Sequence, residues 1–121
     1  MPIFHVELYD DARPDPALPK QLADALGALF DAAPGHVWVR TSSCAPDQYA
    51  ENGGGEVPRW AFVRVILRAL PDEDALATRA GEIARIVSTH TQRSLEDVHV
   101  YFDPPAGGRI AFGGELVRTA R

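Results

Sequence analysis

The 121 residues make one domain by size, and a chain of that length buries roughly two-thirds of the surface it exposes when unfolded. Twelve Lys and Arg against 17 Asp and Glu leave a net charge of -5, which disfavours phosphate backbones and speaks against nucleic acid as a partner. A single cysteine, Cys44, excludes an intramolecular disulfide and a multi-cysteine metal centre. With no signal-like start and no apolar run of about 18 residues, a soluble cytoplasmic protein with no membrane partner is expected.

Ile3 to Tyr9, IFHVELY, is β-branched and aromatic and is bounded by Asp10-Asp11, so it reads as a strand. From about Leu18, apolar residues recur at Leu22, Leu26, Leu29 and Phe30, the spacing of a helix, with Asp15-Pro16 or Pro19 as start signal and Pro34-Gly35 as its end. His36 to Ser42, HVWVRTS, is a second strand, followed by a loop that closes on Gly53-Gly54-Gly55. That loop lacks the lysine and the following helix of a phosphate-binding loop.

The same order then repeats. Arg59 to Leu67 reads as a strand, and Asp72 is placed to cap a helix with Asp72, Glu73 and Asp74 at its positive end. The helix buries a stripe of Leu76, Ala80, Ile83, Val87 and His90, and Asp97 to Asp103 forms the matching strand. Val37 and Val39 precede Val98 and Val100 by 61 positions, and GGEV at Gly54 to Val57 precedes GGEL at Gly113 to Leu116 by 59. The pattern predicts an α+β chain of two β-α-β units, about 2–57 and 58–121, each closed by a glycine turn. Right-handed crossovers then give one four-stranded sheet with both helices on one face.

Strand alternation leaves Trp38, Arg40, Trp60, Phe62, Arg64, Arg68, His99 and Tyr101 on the other face, too aromatic for water. A second and third copy of the chain, packed sheet against sheet around an axis, would cover it. His5 and His99 carry no metal-binding spacing, and no cofactor motif occurs.

These residues carry a resemblance. The second half, ending DVHVYFDPPAGGRIAFGGELVRTAR, resembles the 4-oxalocrotonate tautomerase monomer, and the start Met-Pro-Ile resembles that family's amino-terminal Pro-Ile. As a fused double unit the chain is similar to trimeric members of the tautomerase superfamily, macrophage migration inhibitory factor among them. The resemblance implies a homotrimeric barrel and a cofactor-independent tautomerase acting on a small 2-oxo or unsaturated carboxylic acid. It assigns Pro2, freed of Met1, as general base and acid. A secondary amine on the first strand is rigid, and partial burial beside arginines lowers its pKa toward neutrality. The plainer reading of Pro2 is that it permits methionine removal and ends the strand.

The same resemblance nominates Arg40, Arg64 and Arg68 as carboxylate or oxyanion ligands, with structural ion pairs as the alternative for each. It nominates Tyr101 to orient substrate or water, and Trp38, His99 and Phe112 as pocket walls. Decarboxylation or hydration of a three-carbon acid is the second expectation, weakened for hydration because Ala111 precedes Phe112 where the dehalogenase members carry a carboxylate. A noncatalytic protein retaining the fold is the third.

Overall fold

The computed structural model describes residues 2–119. Its elements follow the doubled order: β1 (Ile3–Tyr9), α1 (Leu18–Leu29) and β2 (Trp38–Cys44), then β3 (Ala61–Ile66), α2 (Glu73–Thr91) and β4 (Val98–Phe102). β1 runs parallel to β2 and β3 parallel to β4, while β1 and β3 meet antiparallel, giving the sheet order β2-β1-β3-β4. Each half thus supplies one parallel pair, and the seam between the halves is the ladder that runs from Ile3–Ile66 to Leu8–Ala61.

Alternation along the strands builds the core. Phe4, Val6 and Leu8 of β1 and Ala61, Val63 and Val65 of β3 point to one face, where Leu18, Leu22 and Leu26 of α1 and Ile83 and Val87 of α2 cover them. Burial of each larger side chain stabilises the fold by about 1.5–3 kcal/mol relative to exposure. α2 starts as expected, with the Asp72 carboxylate accepting from the Ala75 N–H at 2.9 Å.

α1 stops at Leu29, five residues before Pro34. Asp31 adopts φ 49°, and the N–H groups of Asp31 and Ala32 turn back onto the carbonyls of Ala28 and Gly27, a left-handed cap the side-chain pattern did not reveal. In α2 the buried stripe runs Ile83, Val87, Thr91 with Ala84, every fourth residue, so His90 turns aside and stays half-buried with Nδ1 2.8 Å from the Ile86 carbonyl. β3 ends at Ile66, which places Arg68 beyond the strand rather than on its face.

The two glycine turns differ. Gly113 and Gly114, at φ 58° and 85°, sit at the centre of a tight hairpin joining β5 (Ala111–Phe112) to β6 (Glu115–Leu116), where a two-residue turn with positive φ matches the twist of its strands. The stretch around Gly53 to Gly55 forms no strand pair and is exposed throughout Glu51–Glu56. The connection it belongs to nonetheless folds back. Tyr49 and Val57 cover Tyr9, Cys44 and Trp60 at one end of the sheet face opposite the helices. Trp60, expected among the residues that a partner covers, is 2% exposed under its own chain.

Candidate active site

Pro2 is buried at the foot of β1, and its carbonyl accepts the Trp38 N–H at 3.2 Å. The antiparallel register that sets Ile3 opposite Ile66 brings Leu67 and Arg68 to the same end of the sheet. There the C-terminal segment lies on the chain leaving β3: Ala106 N–H donates to Leu67 O at 2.8 Å and Gly107 N–H to Arg68 O at 3.0 Å. A side chain at Gly107 would place its Cβ 3.2 Å from that same oxygen, so glycine permits the close approach. Arg68 is anchored as well, Nη2 donating to Arg118 O at 3.2 Å.

A cavity of about 570 Å³ opens at this end, its lining including Pro2, Phe30, Asp31, His36, Leu67, Arg68 and Arg79. Its size suits a small organic acid. Arg79 comes from the second turn of α2. Its Nη1 donates to Leu29 O at 3.2 Å and lies 3.5 Å from Glu82 Oε1, and its guanidinium carbon sits 4.4 Å above the Phe30 ring. Sequence reasoning missed Phe30, His36 and Arg79 as cavity residues. One signal was present: Arg79 falls in phase with Leu76 and Ile83, so a cation occupies the half-buried stripe of the helix.

The remaining candidates stand on the open face of the sheet. Register aligns Arg40, His5, Arg64 and Tyr101 in one row across β2, β1, β3 and β4. Arg64 is tied by Nε to Asp103 Oδ2 at 2.7 Å, and His5 Nε2 lies 2.8 Å from Ser42 Oγ. Ile3, His5, Arg40, Arg64 and Ile66 enclose a hollow of about 80 Å³, too small for more than a few waters. His99 and Tyr101 flank Phe62 at ring distances of 5.1 and 6.4 Å. Trp38 meets Phe112 of the hairpin edge-on at 5.2 Å. Within one chain, then, Arg68 alone of the nominated residues shares the cavity of Pro2. Tyr101 and Trp38 remain 47% and 43% exposed on the outer side.

At the opposite end of the sheet a further cavity of about 240 Å³ is lined by Arg59, His90, Arg93 and Asp11. Arg93 is nearly inaccessible, and its three nitrogens donate to Trp60 O at 3.2 Å, Thr91 O at 3.2 Å and Tyr9 O at 3.1 Å. Burial, reinforced by the positive charge of Arg59, lowers its pKa, an effect that Asp11 partly offsets. This arginine had no sequence signal, because its partners are main-chain carbonyls, two of them, Tyr9 and Trp60, distant along the chain.

No protein-family model matches the sequence, and no curated protein is similar to it. Solved structures match its fold along nearly the whole length. A fused 4-OT, described as a wild-type symmetric trimer, superposes with a TM-score of 0.74 at 23% identity, covering 95% of this chain and 94% of that one. Pt0534 inactivated by 2-oxo-3-pentynoate gives 0.75 at 13% identity over 95% and 94%. Macrophage migration inhibitory factor from Oncomelania hupensis gives 0.73 at 16% identity over 98% and 84%. The chain shares the fold of these 4-OT, Pt0534 and macrophage migration inhibitory factor structures, the fold that the resemblance implied.

Proposed function

We propose that the protein is a cofactor-independent tautomerase that interconverts keto and enol forms of a 2-oxo acid, with Pro2 as the proton carrier once Met1 is removed. The observation that carries this reading is the position of Pro2: buried, fixed by the β1–β2 ladder, and sharing a cavity with two anchored arginines. An amine in that setting is desolvated and close to cations, and both effects disfavour its protonated form. It then accepts the proton from the carbon beside the carbonyl at neutral pH and delivers it to the enolate oxygen; in ketonisation it takes the enol proton and delivers one to that carbon. Arg68 binds the carboxylate and steadies the oxyanion as charge develops.

The open sheet face enters through assembly. In a homotrimer packed sheet against sheet, Arg40, Arg64, Tyr101 and His99 face a neighbour, and Trp38 with Phe112 forms a rim. Trimeric fused 4-OT structures of the same fold support that arrangement. The test is the ketonisation of phenylpyruvate enol followed by its ultraviolet absorbance. Catalysis by the processed protein and its loss in Pro2→Ala support the reading, whereas undiminished activity in the variant overturns it. Because 2-oxo-3-pentynoate inactivates Pt0534, it is also a suitable covalent probe here. Attachment elsewhere than Pro2, with activity lost, would count against the amine mechanism.

A further inference from the structure

The glycine-rich connection between the halves carries the chain's single asparagine, Asn52, directly before Gly53. Both residues are exposed, and neither belongs to a helix or a strand. On the amino-terminal side the chain is held, because the Tyr49 hydroxyl donates to Glu51 Oε2 at 2.7 Å and the Tyr49 ring packs on Trp60. On the other side Val57 packs against the same cluster. Between these anchors nothing fixes the main chain: the Gly53 N–H and the Asn52 carboxamide make no hydrogen bond among the described residues. A Cβ placed on Gly53, Gly54 or Gly55 would meet no atom within 4 Å, and Gly53 takes φ 90°, a conformation that side chains disfavour. Gln48, the nearest other carboxamide along the chain, is occupied instead, its Oε1 accepting the Ala45 N–H at 2.9 Å.

We infer that Asn52 is a site of spontaneous deamidation, a modification that turns the join between the halves into an aspartate or isoaspartate form. The Gly53 amide, having lost its proton to hydroxide, attacks Asn52 Cγ. A C–N bond closes a five-membered succinimide, the bond from Cγ to the carboxamide nitrogen breaks, and that nitrogen leaves as ammonia with a proton from water. Water then opens the ring. Cleavage between Cγ and the ring nitrogen gives aspartate, whereas cleavage between the main-chain carbonyl carbon and that nitrogen gives isoaspartate, with the chain running through Cβ and Cγ. One water is consumed and one ammonia released, and no oxidant, metal or enzyme enters. Glycine at position 53 matters because a Cβ there would crowd the attacking nitrogen and restrict the rotation that brings it to Cγ. Isoaspartate lengthens the main chain by one methylene, which would break the register of a paired strand; an exposed, unpaired connection absorbs it, so the altered chain stays folded. The net charge of -5 gains one negative unit, carried between Glu51 and Glu56.

The test follows the purified, folded protein over days at mildly alkaline pH and body temperature. Trypsin, cutting after Arg40 and Arg59, releases a peptide that holds Asn52. Mass spectrometry should show that peptide gaining about one mass unit, with fragment ions placing the gain at residue 52 and not at Gln48. Isoelectric focusing should resolve a band with one added negative charge, and ammonia should appear in equal amount. The rate should rise in proportion to hydroxide, because the attacking group is the deprotonated amide. Methyl transfer from S-adenosylmethionine by an isoaspartyl methyltransferase should label part of the converted protein, which separates isoaspartate from aspartate. Asn52→Gln, for which the ring would have six members, should stay a single band, and Gly53→Ala should slow the conversion several-fold. Retention of Asn52 in the folded protein, while the same chain in urea loses it, would mean that the assembled protein shields the connection and overturns the assignment. An acidic band that persists in Asn52→Gln overturns it as well.

Discussion

The Trp38 N–H donates to the carbonyl of Pro2 across 3.2 Å, just where the ladder between β1 and β2 begins. The bond fixes the residue from its carbonyl side, so the ring nitrogen is positioned by main chain and not by a rotamer. Pro2→Ala keeps that carbonyl and an amine but loses the ring that holds the nitrogen. Its ketonisation rate is expected to fall by about 100-fold or more, within the range ascribed to a positioned base. Circular dichroism should be unchanged. Full activity in protein that mass spectrometry shows to retain Met1 would exclude the amine as base.

Arg93 gives a stability prediction. Its guanidinium joins the carbonyls of Tyr9, Trp60 and Thr91 and so ties the ends of β1, β3 and α2 together. Removing it takes a donor from each of three carbonyls in a site that water reaches poorly, only the Trp60 carbonyl keeping a second one, the Tyr9 N–H at 3.0 Å. Arg93→Ala should cost about 3 kcal/mol or more in urea unfolding, a large share of a small domain's stability. Lysine should restore little, since a single ammonium cannot span three carbonyls in that geometry. A loss below about 1 kcal/mol would show that the acceptors find other donors.

Alkaline pH should weaken the fold from the side of Cys44 and Tyr49. Burial, helped by Glu7 and Asp47, pushes the Cys44 thiol above its ordinary 9.0, and a hydrogen bond to Glu51, helped by burial, pushes the Tyr49 hydroxyl above its ordinary 10.0. Both are acids that the folded state holds protonated for longer. Above pH 9 the unfolded chain therefore binds fewer protons than the folded one, and stability falls as pH rises until the raised folded values are passed. Melting temperatures between pH 8 and 11 should decline, and Cys44→Ala should delay the onset toward pH 10. A flat profile in the wild type contradicts this account.

The exposed aromatic rings at Trp38 and Tyr101, together with the arginine row between them, lead us to expect a trimer at micromolar concentration by light scattering. Replacing Tyr101 by Asp sets a carboxylate on that face and should shift the mass toward the monomer without unfolding the chain. A monomeric wild type would remove the basis for bringing Arg40, Arg64 and His99 near any Pro2 cavity.

Much of the fold was legible because it rests on alternation and periodicity. Phe4, Val6 and Leu8, or Leu22 and Leu26, declare their faces by spacing alone, and Asp72 declares a helix start by its acceptor. What stayed hidden depends on main-chain geometry. The left-handed cap at Asp31 ended α1 early, and the short β3 moved Arg68 off the sheet. The site was legible only in its parts. Pro2 and Arg68 could be nominated, but the pairing of Pro2 with Arg79 is set by how α2 crosses the end of the sheet, which no local pattern encodes.

A halopyruvate that alkylates amines should add once per chain, at Pro2, as activity disappears. The end of the sheet related to the Pro2 cavity by the repeat carries Arg59 and the carbonyl-bound Arg93, and the chain there is continuous. A second adduct in the later half whose formation tracks inactivation would contradict the single-site scheme.

The exposed run from Glu51 to Glu56 makes the covalent join between the halves a tether more than a structural element. What binds the halves is the ladder of β1 on β3 and the packing of α1 on α2, neither of which needs the peptide bond at Gly54–Gly55. Two short polypeptides divided at that bond should find each other and reassemble, and the proposed trimer would then count six subunits. Division there also creates a new chain start a few residues before Trp60, so that shortening it to a terminal proline at Pro58 offers a route to a second amine at the other end of the sheet.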